Sequence, residues 1–172
     1  MADQKCALVT ILGAPNAGKS TLLNYIIGNK ISIVSPKVQT TRGKVRGIYI
    51  QDTTQLVLID TAGIFKPSRR LDRAMVSSAW NEAQEADFRL FLIDAKKGLD
   101  ANTKLILQHL IQFKQKAILV FNKIDQVSSA KLVQTTDAEL KNNNSILADV
   151  CEAVLGALYL DKGLNEVVST VR

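Results

Sequence analysis

Eight residues near the start of the chain, Gly13-Ala-Pro-Asn-Ala-Gly18-Lys19-Ser20, constrain the fold more than any other feature. They follow the apolar run Ala7–Leu12 (ALVTIL) and open Lys19–Gly28 (KSTLLNYIIG), which reads as a helix stopped by Gly28. A G-x-x-x-x-G-K-[ST] pattern between a strand and a helix is a phosphate-cradling loop. Its glycines let successive backbone N–H groups curl around an anion without Cβ clashes, at a helix N-terminus that favours negative charge. In that role Lys19 neutralises β- and γ-phosphate oxygens, and Ser20 offers its hydroxyl to Mg²⁺.

Further short apolar runs alternate with helical segments. Val45–Ile50 (VRGIYI) and Gln55–Asp60 (QLVLID) read as neighbouring strands joined through QDTT, and Ser68–Asp87 has the length of a helix. Arg89–Ala95 is expected as a strand, Thr103–Phe113 as an amphipathic helix and Ala117–Phe121 as another strand. Strands rich in Val, Ile and Leu, separated by helices, predict a mostly parallel, doubly wound α/β sheet of the P-loop NTPase type, with helices on both faces. Beyond Asp125 the pattern weakens. Gln126–Lys141 reads as one helix, Asn142–Asn144 as a polar break, and Ser145–Leu160 as an amphipathic helix capped by Ser145.

The 172 residues suit one domain, and 47% hydrophobic with 22% charged residues excludes a wholly disordered chain. No apolar run approaches the roughly 18 residues needed to span a bilayer, and the start lacks the pattern of a secretory leader, so a soluble, cytosolic protein is expected. Cys6 and Cys151 are isolated and suggest neither a disulfide framework nor a zinc site. The net charge of +6 is unevenly spread: residues 1–125 hold 18 basic and 10 acidic residues, residues 126–172 hold 4 and 6. Either an anionic partner or a solvated basic surface accounts for that excess.

Two more motifs stand at predicted strand ends. Asp60-Thr61-Ala62-Gly63 follows QLVLI, where a carboxylate can hold Mg²⁺ and the Gly63 amide can donate to a γ-phosphate. Asn122-Lys123-Ile124-Asp125 follows AILVF. The Asp125 carboxylate can accept from both the ring N–H and the exocyclic amine of guanine. Adenine has no such donor pair and would leave the charge unpaired. Three motifs in this order select GTP over ATP.

These residues carry a family likeness. Gly13–Thr21 (G-x-P-N-x-G-K-S-T) and the segment Lys30–Arg42 (KISIVSPKVQTTR) resemble the Era branch of the MnmE–Era GTPases over about residues 5–135. The resemblance implies a GTP/GDP-binding, slowly hydrolysing switch in small-subunit assembly; the alternatives are a guanine-nucleotide binding module with little hydrolysis, or a chimeric chain whose ribonuclease III-like part processes double-stranded RNA. Its nucleotide-binding set is Gly13, Asn16, Ala17, Gly18, Lys19, Ser20, Thr21, Asp60, Gly63, Asn122, Lys123 and Asp125. Thr41, more than Thr40, is implied to close over Mg²⁺ and the γ-phosphate, so the implied metal ligands are Ser20, Thr41 and Asp60. Lys19, Thr41 and Gly63 are implied to act in hydrolysis, and Asn16 to help hold K⁺. The family usually has proline where Ala62 stands. No glutamine follows Gly63 to orient water, since Ile64 and Phe65 do.

The tail differs. Asn144–Asp161 resembles a ribonuclease III segment whose Asp149 and Glu152 lie at i,i+3 spacing, but the companion acidic signature is absent, and a packing helix is the preferred reading. Gly156-Ala157-Leu158 stands near the place of the family's Ser-Ala loop and lacks its serine, which makes Ala157 the candidate fifth contact. Residues 1–172 are expected to form one G domain without the family's RNA-binding KH domain. The resemblance implies a small-subunit 16S rRNA partner, weakened by that lack. It also implies a monomeric, cytoplasmic protein that can touch the inner membrane face. Arg69, Arg70 and Arg73 either contact RNA or solvate a helix start.

Overall fold

A computed structural model describes residues 5–29, 45–51 and 53–128. The elements are β1 (Lys5–Gly13), α1 (Lys19–Ile27), β2 (Val45–Gln51), β3 (Thr54–Asp60), α2 (Arg70–Glu85), β4 (Phe88–Asp94), α3 (Ala101–Gln112) and β5 (Ile118–Asn122). The five strands form one sheet in the order β2-β3-β1-β4-β5. Only β2 runs antiparallel to its neighbour, β3; β3, β1, β4 and β5 are parallel. The expected mostly parallel α/β sheet is therefore the observed one.

Alternate strand residues point to opposite faces, and both faces are covered. Leu12, Phe91, Ile93, Leu119 and Phe121 pack with Trp80 and Ala83 of α2 and Ile106 and Leu110 of α3. On the other side Val9, Ile11, Leu58 and Leu92 meet Leu23 of α1. The neighbours Phe91 and Leu92 are 0% and 1% exposed, so the centre of β4 is dry on both sides. That explains why its sequence reads as a continuous apolar run rather than an alternating one.

Element ends follow local chemistry. The second helix begins at Arg70, two residues later than its sequence suggests, because the Asp72 carboxylate folds back to accept from the Ser68 and Arg69 amides at 3.3 and 3.0 Å. The third begins earlier, at Ala101, because Asp100 is the cap: its side chain accepts from the Thr103 amide at 2.8 Å. Gly28 ends α1 at φ 74°, with its N–H on the Asn24 carbonyl at 3.0 Å. The helix expected from Gln126 is corrected there: Ile124–Gln126 forms a single 3₁₀ turn, which Val127 leaves in extended conformation. The remaining expectations for 129–172, including the ribonuclease III-like segment, lie outside the described residues. Among the described residues no helix is long and apolar enough to cross a membrane.

Between α2 and α3, the His109 ring stacks on Trp80 at 3.7 Å and 19°, with the Phe113 ring tilted against it at 4.4 Å. Burial pushes the His109 pKa below its ordinary value, so the folded protein binds this proton less readily than the unfolded chain. Stability is therefore lost as pH falls through the ordinary histidine range near 6.5, at no more than about 1.4 kcal/mol per pH unit. Urea unfolding followed through Trp80 fluorescence should show wild type losing more stability between about pH 7 and 5.5 than His109→Phe, which keeps the stack without the titrating nitrogen.

Candidate functional site

The site lies along the carboxyl edge of the parallel strands, where ligands bind in such sheets. The loop from Gly13 to Ser20 leaves β1 there and enters α1. Close packing dictates its glycines. A Cβ on Gly13 would sit 2.7 Å from the Leu92 carbonyl oxygen, and one on Gly18 would collide with the Asn122 side-chain nitrogen. Gly18 also caps α1 at φ 102°, a conformation that L side chains avoid. Asn16 holds φ 62° at the exposed tip of the loop, a left-handed conformation that asparagine tolerates better than most residues.

Lys19 turns back beneath this loop. Its Nζ donates to the Gly13 and Ala14 carbonyl oxygens at 3.1 and 3.0 Å, and the residue is 6% exposed. Burial pushes its pKa down to about 8, against the opposing attraction of the Asp60 carboxylate. The loop thus holds a buried ammonium that a phosphate anion would stabilise.

Asp60 ends β3 in register with Ile11 of β1 and is fully buried. Ser20 Oγ donates to Asp60 Oδ2 at 2.5 Å, which brings the first turn of α1 to the end of β3. A hydroxyl and a carboxylate side by side are hard oxygen donors of the kind Mg²⁺ takes when it keeps waters and phosphate oxygens in the rest of its shell. The donor set fits that ion. Among the described residues no three His, Cys, Asp or Glu side chains cluster as a protein-only metal cage.

The chain after Asp60 is pinned as firmly. Thr61 Oγ1 donates to the Ile11 carbonyl at 2.7 Å, and the Ile64 N–H donates to the Gly13 carbonyl at 3.1 Å. Gly63 passes so close to Pro15 that an added Cβ would lie 2.9 Å from the Pro15 Cα. Ile64 is fully buried in the core, so the position after Gly63 offers no polar side chain to a water molecule.

The end of β5 closes the site from the other side. Asn122 Nδ2 donates to the Ala17 carbonyl at 2.9 Å. Lys123, at φ 61°, extends its ammonium to the Asn16 carbonyl at 2.8 Å and to Asp94 Oδ2 at 2.6 Å. Asp125 lies in the 3₁₀ turn with its side chain exposed at the same edge.

The structure therefore brings Gly13, Asn16, Ala17, Gly18, Lys19, Ser20, Asp60, Gly63, Asn122 and Lys123 into one hydrogen-bonded or packed group, with Thr21 exposed on α1 and Asp125 beside it. Thr41 and Ala157 lie outside the described residues. Two participants went unread in the sequence. Thr61 looks like any strand-end threonine until its bond to Ile11 is seen. Asp94 could have been found as an acid at the end of the strand between the second and third motifs.

The sequence model of the family described as 50S ribosome-binding GTPase matches residues 8–123. A GTPase Era of Bradyrhizobium sp. is 52% identical over 132 residues, which is 77% of this chain and 43% of that protein. A crystal structure of Era in complex with MgGDPNP and nucleotides 1506–1542 of 16S ribosomal RNA is similar at TM-score 0.74 and 40% identity, covering 83% of this chain and 49% of the other. NFeoB from S. thermophilus bound to GDP.AlF4⁻ and K⁺ is similar at TM-score 0.56 and 25% identity, covering 70% and 45%. The chain spans less than half the length of the curated relatives it matches. The family match runs from β1 through the phosphate loop and Asp60 to Lys123, and by it the chain belongs to the 50S ribosome-binding GTPase family, its relatives there being Era proteins.

Proposed function

We propose that this chain is the G domain of an Era-type switch that binds GTP and GDP with Mg²⁺ and hydrolyses GTP slowly. The observation that carries the reading is the joining of three motif-bearing strand ends at one loop. Ser20 is bonded to Asp60, Ala17 to Asn122, and Asn16 to Lys123. Each bond ties a phosphate-binding element to an element that selects metal or base.

In this reading the amides of the Gly13–Ser20 loop and the Lys19 ammonium bind the phosphates, with Thr21 at the next position of α1. Asp125 accepts from the guanine edge. Ser20 and Asp60 hold Mg²⁺, joined by Thr41 on the strength of the family resemblance, and the ion neutralises phosphate charge during transfer. Gly63 presents its backbone N–H beside the loop, held there by the contact with Pro15. Ala157 is retained as the fifth nucleotide contact from the resemblance alone. Asn16 is assigned to K⁺, an assignment supported by the K⁺ named with the NFeoB neighbour. Slow hydrolysis is supported by Ile64, whose burial leaves no side chain after Gly63 to orient water.

The 16S rRNA fragment bound in the Era neighbour supports a role in small-subunit assembly, with RNA as the partner. A monomeric, cytoplasmic protein with peripheral contact to the inner membrane completes the proposal.

Three measurements test it. Asp125→Asn should weaken GTP binding by about a hundredfold and shift preference toward xanthosine triphosphate, because an amide donates where the carboxylate accepted. Unchanged GTP affinity overturns the base assignment. The lowered Lys19 pKa must rise when phosphate arrives, so binding takes up a proton above pH 8. The GDP dissociation constant should be nearly flat from pH 7 to 8 and weaken toward tenfold per unit above it; a flat profile to pH 9 refutes Lys19 as the phosphate cation. Single-turnover hydrolysis with Mg²⁺ and K⁺ should proceed on the order of 10⁻³ s⁻¹ or slower, as in GTPases that await an activating group. A rate near the ~10 s⁻¹ of an ordinary enzyme contradicts the switch reading.

A further inference from the structure

We propose that Asp94 is a positioning residue for the nucleotide site, holding Lys123 against the phosphate loop and thereby slowing release of guanine nucleotide. The proposal rests on the guanine-nucleotide reading above. Asp94 ends β4 directly opposite Asn122 of β5 and is 6% exposed. Its two oxygens have separate partners. Oδ1 accepts from the Lys96 and Lys97 amides at 3.0 and 3.3 Å and closes the turn that follows β4. Oδ2 accepts from Lys123 Nζ at 2.6 Å. The same ammonium donates to the Asn16 carbonyl at 2.8 Å. One carboxylate therefore links the β4 turn, the base-recognition loop and the tip of the phosphate loop.

A turn cap alone requires only the first oxygen, and asparagine or serine supplies it as well as aspartate does. The charge is needed for the second partner. Burial raises the Asp94 pKa, but the Lys123 hydrogen bond and charge, with the Lys97 and Lys96 amides, outweigh it, so the carboxyl stays below the ordinary carboxylate range and ionised. Lys123 has reason to need such a partner. A lysine side chain carries about 2 kcal/mol of rotamer entropy, and this one leaves a backbone held at φ 61°. A short charge-assisted bond restrains it in one conformation, aligned with the Asn16 carbonyl. Lys123 belongs to the N-K-x-D motif itself, whereas Asp94 reaches the nucleotide site only through it.

The test is a double-mutant cycle on the 172-residue chain, read as the rate of GDP release after displacement by excess unlabelled GDP. Asp94→Asn keeps an acceptor for the turn but sets an amide against the ammonium. It should speed GDP release by about tenfold, within the range of coupling between neighbours in one network. In the Lys123→Met background the same substitution should change release by less than twofold. A purely structural Asp94 would give equal effects in both backgrounds, and that result, or no effect in either, overturns the assignment. If circular dichroism shows Asp94→Asn unfolded, the cycle is run with Asp94→Glu and read by the same two outcomes. Tight GDP binding that is indifferent to Asp94 overturns this assignment alone, whereas wild-type protein that holds no GDP overturns the nucleotide reading with it.

Discussion

Parallel pairing of β3, β1, β4 and β5 places the strand-end groups of the site among the described residues. Ile11 stands opposite Asp60, Gly13 opposite Leu92, and one strand further Asp94 opposite Asn122. Because side chains alternate between faces with a period of two, a slip of one residue between β1 and β3 would move Asp60 away from Ser20 and bring a neighbour of opposite orientation into its place. The register is protected by burial on both faces. Leu58 and Ile59, at 2% and 3% exposed, face opposite ways, so a shifted strand would bury the wrong residue on each side at once. The dry core thus does more than stabilise the domain: it holds Asp60, Asp94 and Asn122 at one edge, level with the loop that must meet them.

That edge holds charge out of water. Lys19 is buried on carbonyl oxygens, with its pKa lowered to about 8 by the loss of water. Desolvating an ammonium costs stability, and the neighbouring Asp60 carboxylate offsets only part of it. Asn16 and Lys123 add two non-glycine residues at positive φ, a conformation that costs roughly 1 kcal/mol each. Such costs persist where the surrounding structure over-determines them, and here the over-determination is visible as bonds from Lys123 to Asn16 and Asp94. A phosphate anion pairing with Lys19 would relieve the first cost, so the arrangement favours an anion there.

Much of this was legible in the sequence because phosphate chemistry imposes residue types at fixed spacing. Gly13, Gly18, Lys19 and Ser20 could be read directly, since a cradle of backbone amides tolerates few alternatives. Strand positions could be read because the buried runs around Leu12, Leu58 and Phe91 are almost wholly apolar. Helix starts were less legible. Periodicity alone places the start of α2 at Ser68 and of α3 at Thr103, but Asp72 and Asp100 decide the starts by folding back onto amides near them. A carboxylate near a helix start can lie outside, at or inside the first turn, and only geometry distinguishes these cases. Asp94 was missed for a related reason. An acid followed by two lysines at a strand end reads as a solvated turn, and its principal partner lies 29 residues further along the chain.

In the proposed reading the same edge bears on hydrolysis as well as on binding. The residue after Gly63 belongs to the core rather than the site, because Ile64 fills the space between Leu12 and α2 and its amide is spent on the Gly13 carbonyl. Replacing Ile64 with a water-orienting glutamine would therefore bury an unpaired amide in the core before it could meet a nucleophile. In the proposed reading, hydrolytic help comes from outside this segment, as it does in GTPases whose activator supplies the missing charge. The loop tip at Asn16 is exposed and bonded to Lys123. On that reading, the bonds from the loop to Asn122 and Lys123 serve binding, while the buried Ile64 leaves the chemical step to other groups.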